Sequence, residues 1–223
     1  MKKTAQNIIK KIAYLILINP LRWYLSKTRK VKIGDITLEI PPSVFHPSFY
    51  FSTDFLLEYL DNEDFVNKRV LELGAGSGLL SVFMAKNKAN VFASDINLAA
   101  CEAVIKNANA NDVYLHVIHS DLFDNFPKTV FDLIIINPPY YPKYPQNDTE
   151  NAFFCGGNFE YFHKLFSQVA NFLTENGKII MVLSEDCEIK KIREIAENNQ
   201  LNWSKIQSKK IVGELNILFE IRK

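Results

Sequence analysis

Apolar residues recur along this chain at two spacings, and the two alternate. Short runs rich in branched and aliphatic side chains, such as Arg69-Val-Leu-Glu-Leu73 and Val130-Phe-Asp-Leu-Ile-Ile-Ile136, have the length and composition of buried strands. Further strands are expected at 90–94, 113–118 and 178–183, and at 201–207 and 211–221. Between them, 79–87, 97–109, 158–173 and 186–198 read as helices, with another near 53–61. Strand and helix in strict alternation predict parallel β structure with helices on both faces. The last two strands close it as an antiparallel edge hairpin. The expectation is thus an α/β fold, Rossmann-like, with a seven-stranded, mostly parallel sheet.

Ahead of this pattern the chain reads differently. Residues 4–18 and 20–27 predict a helix kinked at Pro20, and 30–40 alternate around Gly34-Asp35 as a small hairpin. We therefore divide the chain into a basic N-terminal arm with its hairpin, 1–43, and a main domain, 44–223.

Charge sharpens that division. The formal net charge is +1, yet residues 1–32 carry nine Lys or Arg and no acid, which leaves 17 basic and 25 acidic residues elsewhere. The body is acidic and the arm basic. The expectation for the arm is an amphipathic helix packed on the body. Contact with anionic lipid or with RNA is the alternative reading. Its apolar run, residues 12–18, is too short to span a bilayer. Three widely spaced cysteines (Cys101, Cys155 and Cys187), none in a C-x-x-C pair, predict neither a disulfide framework nor a zinc site. They fit a reducing, cytoplasmic compartment. No metal ligand set is expected from the four histidines.

Two motifs carry chemistry. The first, Glu72-Leu-Gly-Ala-Gly-Ser-Gly78, joins a strand to a helix, and Asp95 ends the next strand. Glycines here allow a tight turn and close approach of a ligand, and a carboxylate at the second strand end can accept from both hydroxyls of a ribose. The spacing differs from the G-x-G-x-x-G of dinucleotide sites. An acid two residues before the first glycine would repel pyrophosphate. It suits a nucleoside bearing a positive amino-acid end, and S-adenosylmethionine has an ammonium, a sulfonium and no phosphate.

The second motif, Asn137-Pro-Pro-Tyr140, follows the most apolar strand. Prolines fix the backbone and leave carbonyls that only accept. The Asn137 side-chain oxygen and the Pro138 carbonyl can together accept both hydrogens of one NH2 group, while Tyr140 can stack on a flat substrate. An amide or aromatic amine is a poor nucleophile, and such a clamp orients its nitrogen and stabilises the charge that develops there.

With both motifs in place the chain resembles class I methyltransferases of the N-P-P-Y kind, and among them the HemK/PrmC-like glutamine methyltransferases and their shorter relatives. The resemblance runs from about Val44 to the C-terminus. It implies that Glu72, Gly74, Gly76 and Gly78 bind S-adenosylmethionine and that Asp95 takes its ribose. Ile96 would cover adenine, and Asp121, with Leu122 beside it, would contact the adenine amine. It further implies that Thr53 approaches the cofactor carboxylate and that Asn137, Pro138, Pro139 and Tyr140 form the catalytic tetrapeptide. The glycine pair Gly156-Gly157 resembles one found after N-P-P-Y in the family. HemK/PrmC proteins also carry an N-terminal helical bundle that docks a release factor. This chain has about 40 basic residues there instead, so the resemblance implies either another acceptor or help from a partner subunit. Four readings remain open at this point: methylation of a protein glutamine, methylation of an exocyclic amine of adenine or guanine in RNA or DNA, methylation of a small molecule, and a non-catalytic binding subunit.

Overall fold

In the computed structural model, residues 26–47, 51–147, 149–211 and 213–223 are described. The predicted N-terminal helix lies outside them apart from its last residues, where Ser26 and Lys27 form a turn and bend. A hairpin of β1 (Arg29–Ile33) and β2 (Ile36–Ile40) comes first, then α1 (Phe51–Leu60). Alternation follows: β3 (Arg69–Leu73), α2 (Leu79–Lys86), β4 (Asn90–Asp95), α3 (Leu98–Ala110), β5 (His116–His119) and β6 (Phe131–Ile136). The chain ends with α4 (Glu160–Val169), β7 (Leu173–Ser184), α5 (Ile189–Asn198), β8 (Asn202–Ile211) and β9 (Glu214–Arg222).

The main sheet has seven strands in the order β5-β4-β3-β6-β7-β9-β8. Neighbours from β5 through β7 are parallel, and β9 runs antiparallel to both β7 and β8. Because the central strands are covered on both faces, their buried stretches are largely apolar on both sides, most completely in β6, where Asp132 is the one polar residue. In β6, Leu133 and Ile135 enter the core beneath α1, α2 and α3, and Ile134 and Ile136 enter the core beneath α4 and α5. That period of two sorts the sheet into its two layers.

The hairpin is fastened to α3 by two asparagines one helical turn apart. Asn107 accepts from the Glu39 amide at 2.7 Å and donates to the Glu39 carbonyl at 3.1 Å. Asn111 does the same for Thr37, at 2.9 and 2.7 Å. Each side chain thus stands in for a neighbouring strand residue. Ile36, Leu38 and Ile40 are buried in the same core as α2 and α3.

The chain runs outward from β3 through β4 to β5, then crosses back so that β6 lies on the other side of β3. Strand order reverses there, and in open α/β sheets the crevice at such a switch point, beyond the carboxyl ends of the strands, is where ligands bind.

Candidate active site

At that reversal the structure has a cavity of about 440 Å3. All thirteen residues singled out from the sequence fall close to it. Thr53, Glu72, Gly74, Gly76, Asp95, Ile96, Asp121, Leu122, Asn137, Pro138, Pro139 and Tyr140 line its wall. Gly78 lies just behind.

The glycine turn is held from below. The amides of Gly74 and Ala75 both donate to the Ser94 carbonyl, at 2.8 and 2.9 Å, and the Gly76 amide donates to Asp95 Oδ2 at 2.8 Å. Gly78 opens α2 with φ of 75°, and a Cβ there would sit 3.0 Å from Val104 Cγ2 of α3. Backbone conformation and helix–helix packing thus both require glycine at this position.

Glu72 is buried, and one of its carboxylate oxygens is occupied. Oε2 accepts from the Ser81 amide at 2.7 Å and, more closely, from the Ser81 hydroxyl, both in the first turn of α2. Burial pushes its carboxyl up to about 8, against its ordinary 4.5. No basic side chain is among the causes of that shift, and among the described residues the acid has no cationic partner. Asp95 is raised by burial too, while the amides of Asn97 and Gly76 pull the other way.

The outer rim is looser. Ile96 is 44% exposed, an apolar side chain left uncovered at the cavity's edge. Asp121 accepts from Lys164 at 2.6 Å, and Lys164 reaches Asp124 at the same distance. The acid predicted to face an adenine amine is therefore already ion-paired. Both partners are partly exposed, so this pairing is weak enough to be displaced. Leu122 is buried with a left-handed backbone, φ 50°.

At the end of β6, Asn137 Nδ2 donates to Ser52 Oγ of α1 at 3.1 Å. Asn137 Oδ1 and the carbonyls of Pro138 and Pro139 accept no hydrogen bond from the described residues. Tyr140 lies 4.8 Å from Tyr141, centroid to centroid, and is half-buried; desolvation raises its hydroxyl strongly. The loop beyond is folded back on itself. Tyr141 and Phe154 form a bridge, and the Tyr144 hydroxyl donates to Glu160 Oε1 at 2.8 Å. Gly156 stands at φ 87°, a conformation that L side chains rarely adopt, and a Cβ there would also displace the Glu160 carboxylate. Gly156 is thus set by its backbone conformation, and Gly157 lets the Tyr144 ring lie close over the loop.

Sequence reasoning missed four cavity residues. Ser52 stands beside Thr53, and Lys164 pairs with Asp121. The other two are hydroxyls without partners. Ser94 is buried with its Oγ unpaired. Tyr161 makes no hydrogen bond through its hydroxyl to the described residues, and Asp95 and Asp121 lie near enough to raise it, second to burial. Ser94 is the register partner of Leu73, which faces the α4 layer, so Ser94 and Tyr161 are on the same side of the sheet. No signal of spacing or composition marks either residue. Among the described residues no group of three or more His, Cys, Asp or Glu could hold a metal.

A buried acid lacking a cation, a turn open to close approach, a half-buried acid at the neighbouring strand end and two unpartnered hydroxyls fit a nucleoside with a cationic amino-acid end. Comparison with known proteins agrees. The family model for the methyltransferase small domain matches residues 35–206. A candidate protein N5-glutamine methyltransferase of Methanocaldococcus jannaschii is 32% identical over 160 residues, which cover 69% of this chain and 79% of the relative. Two further curated relatives are matched over only 23% and 46% of their own length, so this chain corresponds to part of those longer proteins. Among solved structures, the T. thermophilus 16S rRNA N2 G1207 methyltransferase in complex with AdoMet and guanosine superposes with a TM-score of 0.65 at 22% identity, over 88% of this chain and 50% of that one. In the E. cuniculi Mtq2-Trm112 complex, responsible for methylation of the eRF1 translation termination factor, the matching chain gives 0.63 at 19%, over 81% of this chain and 99% of that one. At these identities the two structures establish the shared fold. The chain belongs to the methyltransferase small domain family and is an S-adenosylmethionine-dependent methyltransferase.

Proposed function

We propose that the enzyme methylates the side-chain amide nitrogen of a glutamine in a protein. The observation that supports this most directly is a pair of unused acceptors, Asn137 Oδ1 and the Pro138 carbonyl, on the wall of the cavity that holds the glycine turn. Two acceptors side by side call for a group that brings two hydrogens, and a primary amide does so.

In this reading Glu72 takes the ammonium end of S-adenosylmethionine and Thr53 approaches its carboxylate. Asp95 takes the ribose, Ile96 and Leu122 cover the adenine, and Asp121 exchanges Lys164 for the adenine amine. Bound there, S-adenosylmethionine supplies an electrophilic methyl on a sulfonium and leaves as a neutral thioether. Asn137 and Pro138 hold the acceptor NH2 so that its lone pair points at the donor, and Tyr140 covers the flat face of the amide. As the new N–C bond forms, positive charge grows on nitrogen, and the two carbonyl oxygens stabilise it. One of the two hydrogens then leaves as a proton to water.

An exocyclic amine of RNA offers the same NH2, and the rRNA methyltransferase fold supports it as a second reading. The charge of the body favours protein. After β7 three exposed acids follow closely, Glu185, Asp186 and Glu188, and Glu214 lies close enough to act on the Tyr140 hydroxyl, although the loop itself carries the exposed base Lys143. Those acids, with the acidic balance of residues 33–223, disfavour a phosphate backbone. We also propose a cytoplasmic location, supported by three free cysteines. The described residues contain no helix long and apolar enough to cross a membrane. A partner subunit that presents the substrate, as the two-chain neighbour suggests, belongs to the same proposal.

The test is transfer of labelled methyl from S-adenosylmethionine to a cell lysate, with Asn137→Ala as the inactive control. Protease digestion should make the label soluble and nuclease should not, and strong acid should release labelled methylamine from the protein fraction. Label released by nuclease would replace this reading with the RNA one.

A further inference from the structure

An asparagine amide has a donor end and an acceptor end of almost the same shape. A half-turn about its last torsion exchanges them. The proposed chemistry needs one orientation only. With Oδ1 toward the cavity, Asn137 accepts from the incoming NH2. Turned over, it presents its own NH2 to that group, donor against donor.

One side chain among the described residues bonds to this amide. Ser52 Oγ accepts from Asn137 Nδ2 at 3.1 Å, across 85 positions of sequence. Ser52 is placed by a helix. It sits in the first turn of α1, whose Phe55, Leu56 and Leu60 are essentially fully buried. The outer side of the same segment is fastened to the far half of the sheet. Lys178 of β7 bonds to Glu63 at 2.7 Å and to the Tyr59 hydroxyl at 3.0 Å, and Lys209 of β8 pairs with Glu58. A rigid element therefore delivers a hydrogen-bond partner to the end of the asparagine that the reaction does not use.

We infer that Ser52 is a positioning residue that anchors the Asn137 side chain by its Nδ2 end, which leaves Oδ1 to face the acceptor nitrogen. The hydroxyl could serve either end of the amide, so the orientation is completed by the incoming NH2, from which only Oδ1 can accept. The inference rests on the proposed role of Asn137. It also narrows the substrate. With Nδ2 held by Ser52 and Oδ1 left for the substrate, the site engages nitrogens that carry hydrogens and gives less grip on a hydrogen-free ring nitrogen or a carboxylate oxygen.

The experiment compares Ser52→Ala and Ser52→Thr with the full-length enzyme and with Asn137→Ala. In Ser52→Ala the initial rate of methyl transfer to lysate at saturating S-adenosylmethionine should fall about tenfold, the scale of one lost neutral hydrogen bond. The dissociation constant for S-adenosylmethionine, from calorimetry, should stay within about twofold, as expected when cofactor contacts are untouched. Ser52→Thr, which keeps the hydroxyl, should recover most of the rate. NMR gives a reading independent of turnover. The Asn137 side-chain NH2 signals, assigned by their loss in Asn137→Ala, should exchange with solvent faster in Ser52→Ala than in the parent or in Ser52→Thr. An unchanged rate and unchanged exchange in Ser52→Ala, or a threonine variant as poor as alanine, would overturn the positioning role. So would a parallel loss of cofactor affinity. Failure of the underlying reading looks different: Asn137→Ala itself would then retain turnover.

Discussion

Replacing Glu72 by glutamine tests the cofactor half of the site without relying on an acceptor. Glutamine keeps the shape and an oxygen that can accept from the Ser81 amide and hydroxyl, but it cannot ionise. In the parent, burial raises the carboxyl from 4.5 to about 8. At about 1.4 kcal/mol for each pH unit, keeping it ionised in the empty site costs up to about 5 kcal/mol. The sign follows from proton counting. Between these two values the folded protein holds a proton that the unfolded chain has released. This stability is therefore fully present below about 4.5 and is lost as pH rises toward 8. Glu72→Gln removes the dependence. Without ligand, its melting temperature should match the parent near pH 5 and exceed it near pH 9. The ceiling on that gain is about 10–20 °C, at about 2–4 °C per kcal/mol for a protein of this size. With S-adenosylmethionine the order should reverse. An ammonium beside Glu72 favours the carboxylate, so at pH 7 binding should release about one proton, and the affinity of the parent should rise with pH toward 8. Glu72→Gln should release none and bind about 10- to 150-fold more weakly, the loss of one charged hydrogen bond. Thermal melts from pH 5 to 9, with and without ligand, and calorimetry in buffers of different ionisation enthalpy, read all three effects. A glutamine variant that binds as tightly as the parent, with the same proton release, would refute the assignment of Glu72 to the ammonium.

Two further substitutions probe the nucleoside end. Asp95→Ala should weaken S-adenosylmethionine by about 1.5–3 kcal/mol in calorimetry, and because Asp95 also holds the amides of Gly76 and Asn97 it should lower the melting temperature as well. Tyr161→Phe removes a hydroxyl that has no partner among the described residues, so it should leave stability unchanged and weaken the same ligand by about 0.5–1.5 kcal/mol; equal affinity would remove Tyr161 from the site.

Much of the fold is legible because the central strands are buried on both faces, so that β6 and β7 contain unbroken apolar runs at 133–136 and 179–183 and β3 and β4 are short apolar-rich segments between helices. Strands at 69–73 and 90–95, and the helix from Leu79, stand within a residue of expectation. The departures have local causes. β5 begins at His116 rather than 113 because the Val113 amide turns back to the Ala108 carbonyl and finishes α3. β7 begins at Leu173, five residues before the expected start at 178. Thr174-Glu-Asn-Gly177 looks like a turn in sequence, but it is carried as an irregularity in the pairing with β6, where Phe131 faces Leu173 and Leu133 already faces Lys178. α4 starts only at Glu160, after Phe159 in a left-handed conformation, and gives way at Ala170 to a tighter turn. In the site, glycines and strand-end acids announce themselves by type and spacing. Ser52, Ser94 and Tyr161 do not, because a hydroxyl beside a buried sheet is ordinary in sequence and becomes informative only when its partner is found missing or found to be Asn137.

Strand order is the part that no motif encodes, and it decides how the two motifs cooperate. Sequence places Asn137 after β6 and Asp121 after β5, one connection apart. In the sheet they lie at opposite ends of the rim, because β6 crosses β4 and β3 to pair with β3 on its far side. Read along the strand ends, the groups run Asp121, Asp95, Glu72, Asn137. Three spacings of about 4.8 Å each set roughly 14 Å between the first and last. That is the reach of an extended nucleoside joined to an amino acid. In the proposed reading, an adenine at Asp121 and a ribose at Asp95 would leave the sulfonium near Glu72, one strand from the amide clamp. Had β6 paired beside β5, the same residues would have put the clamp against the adenine, with no methyl in reach.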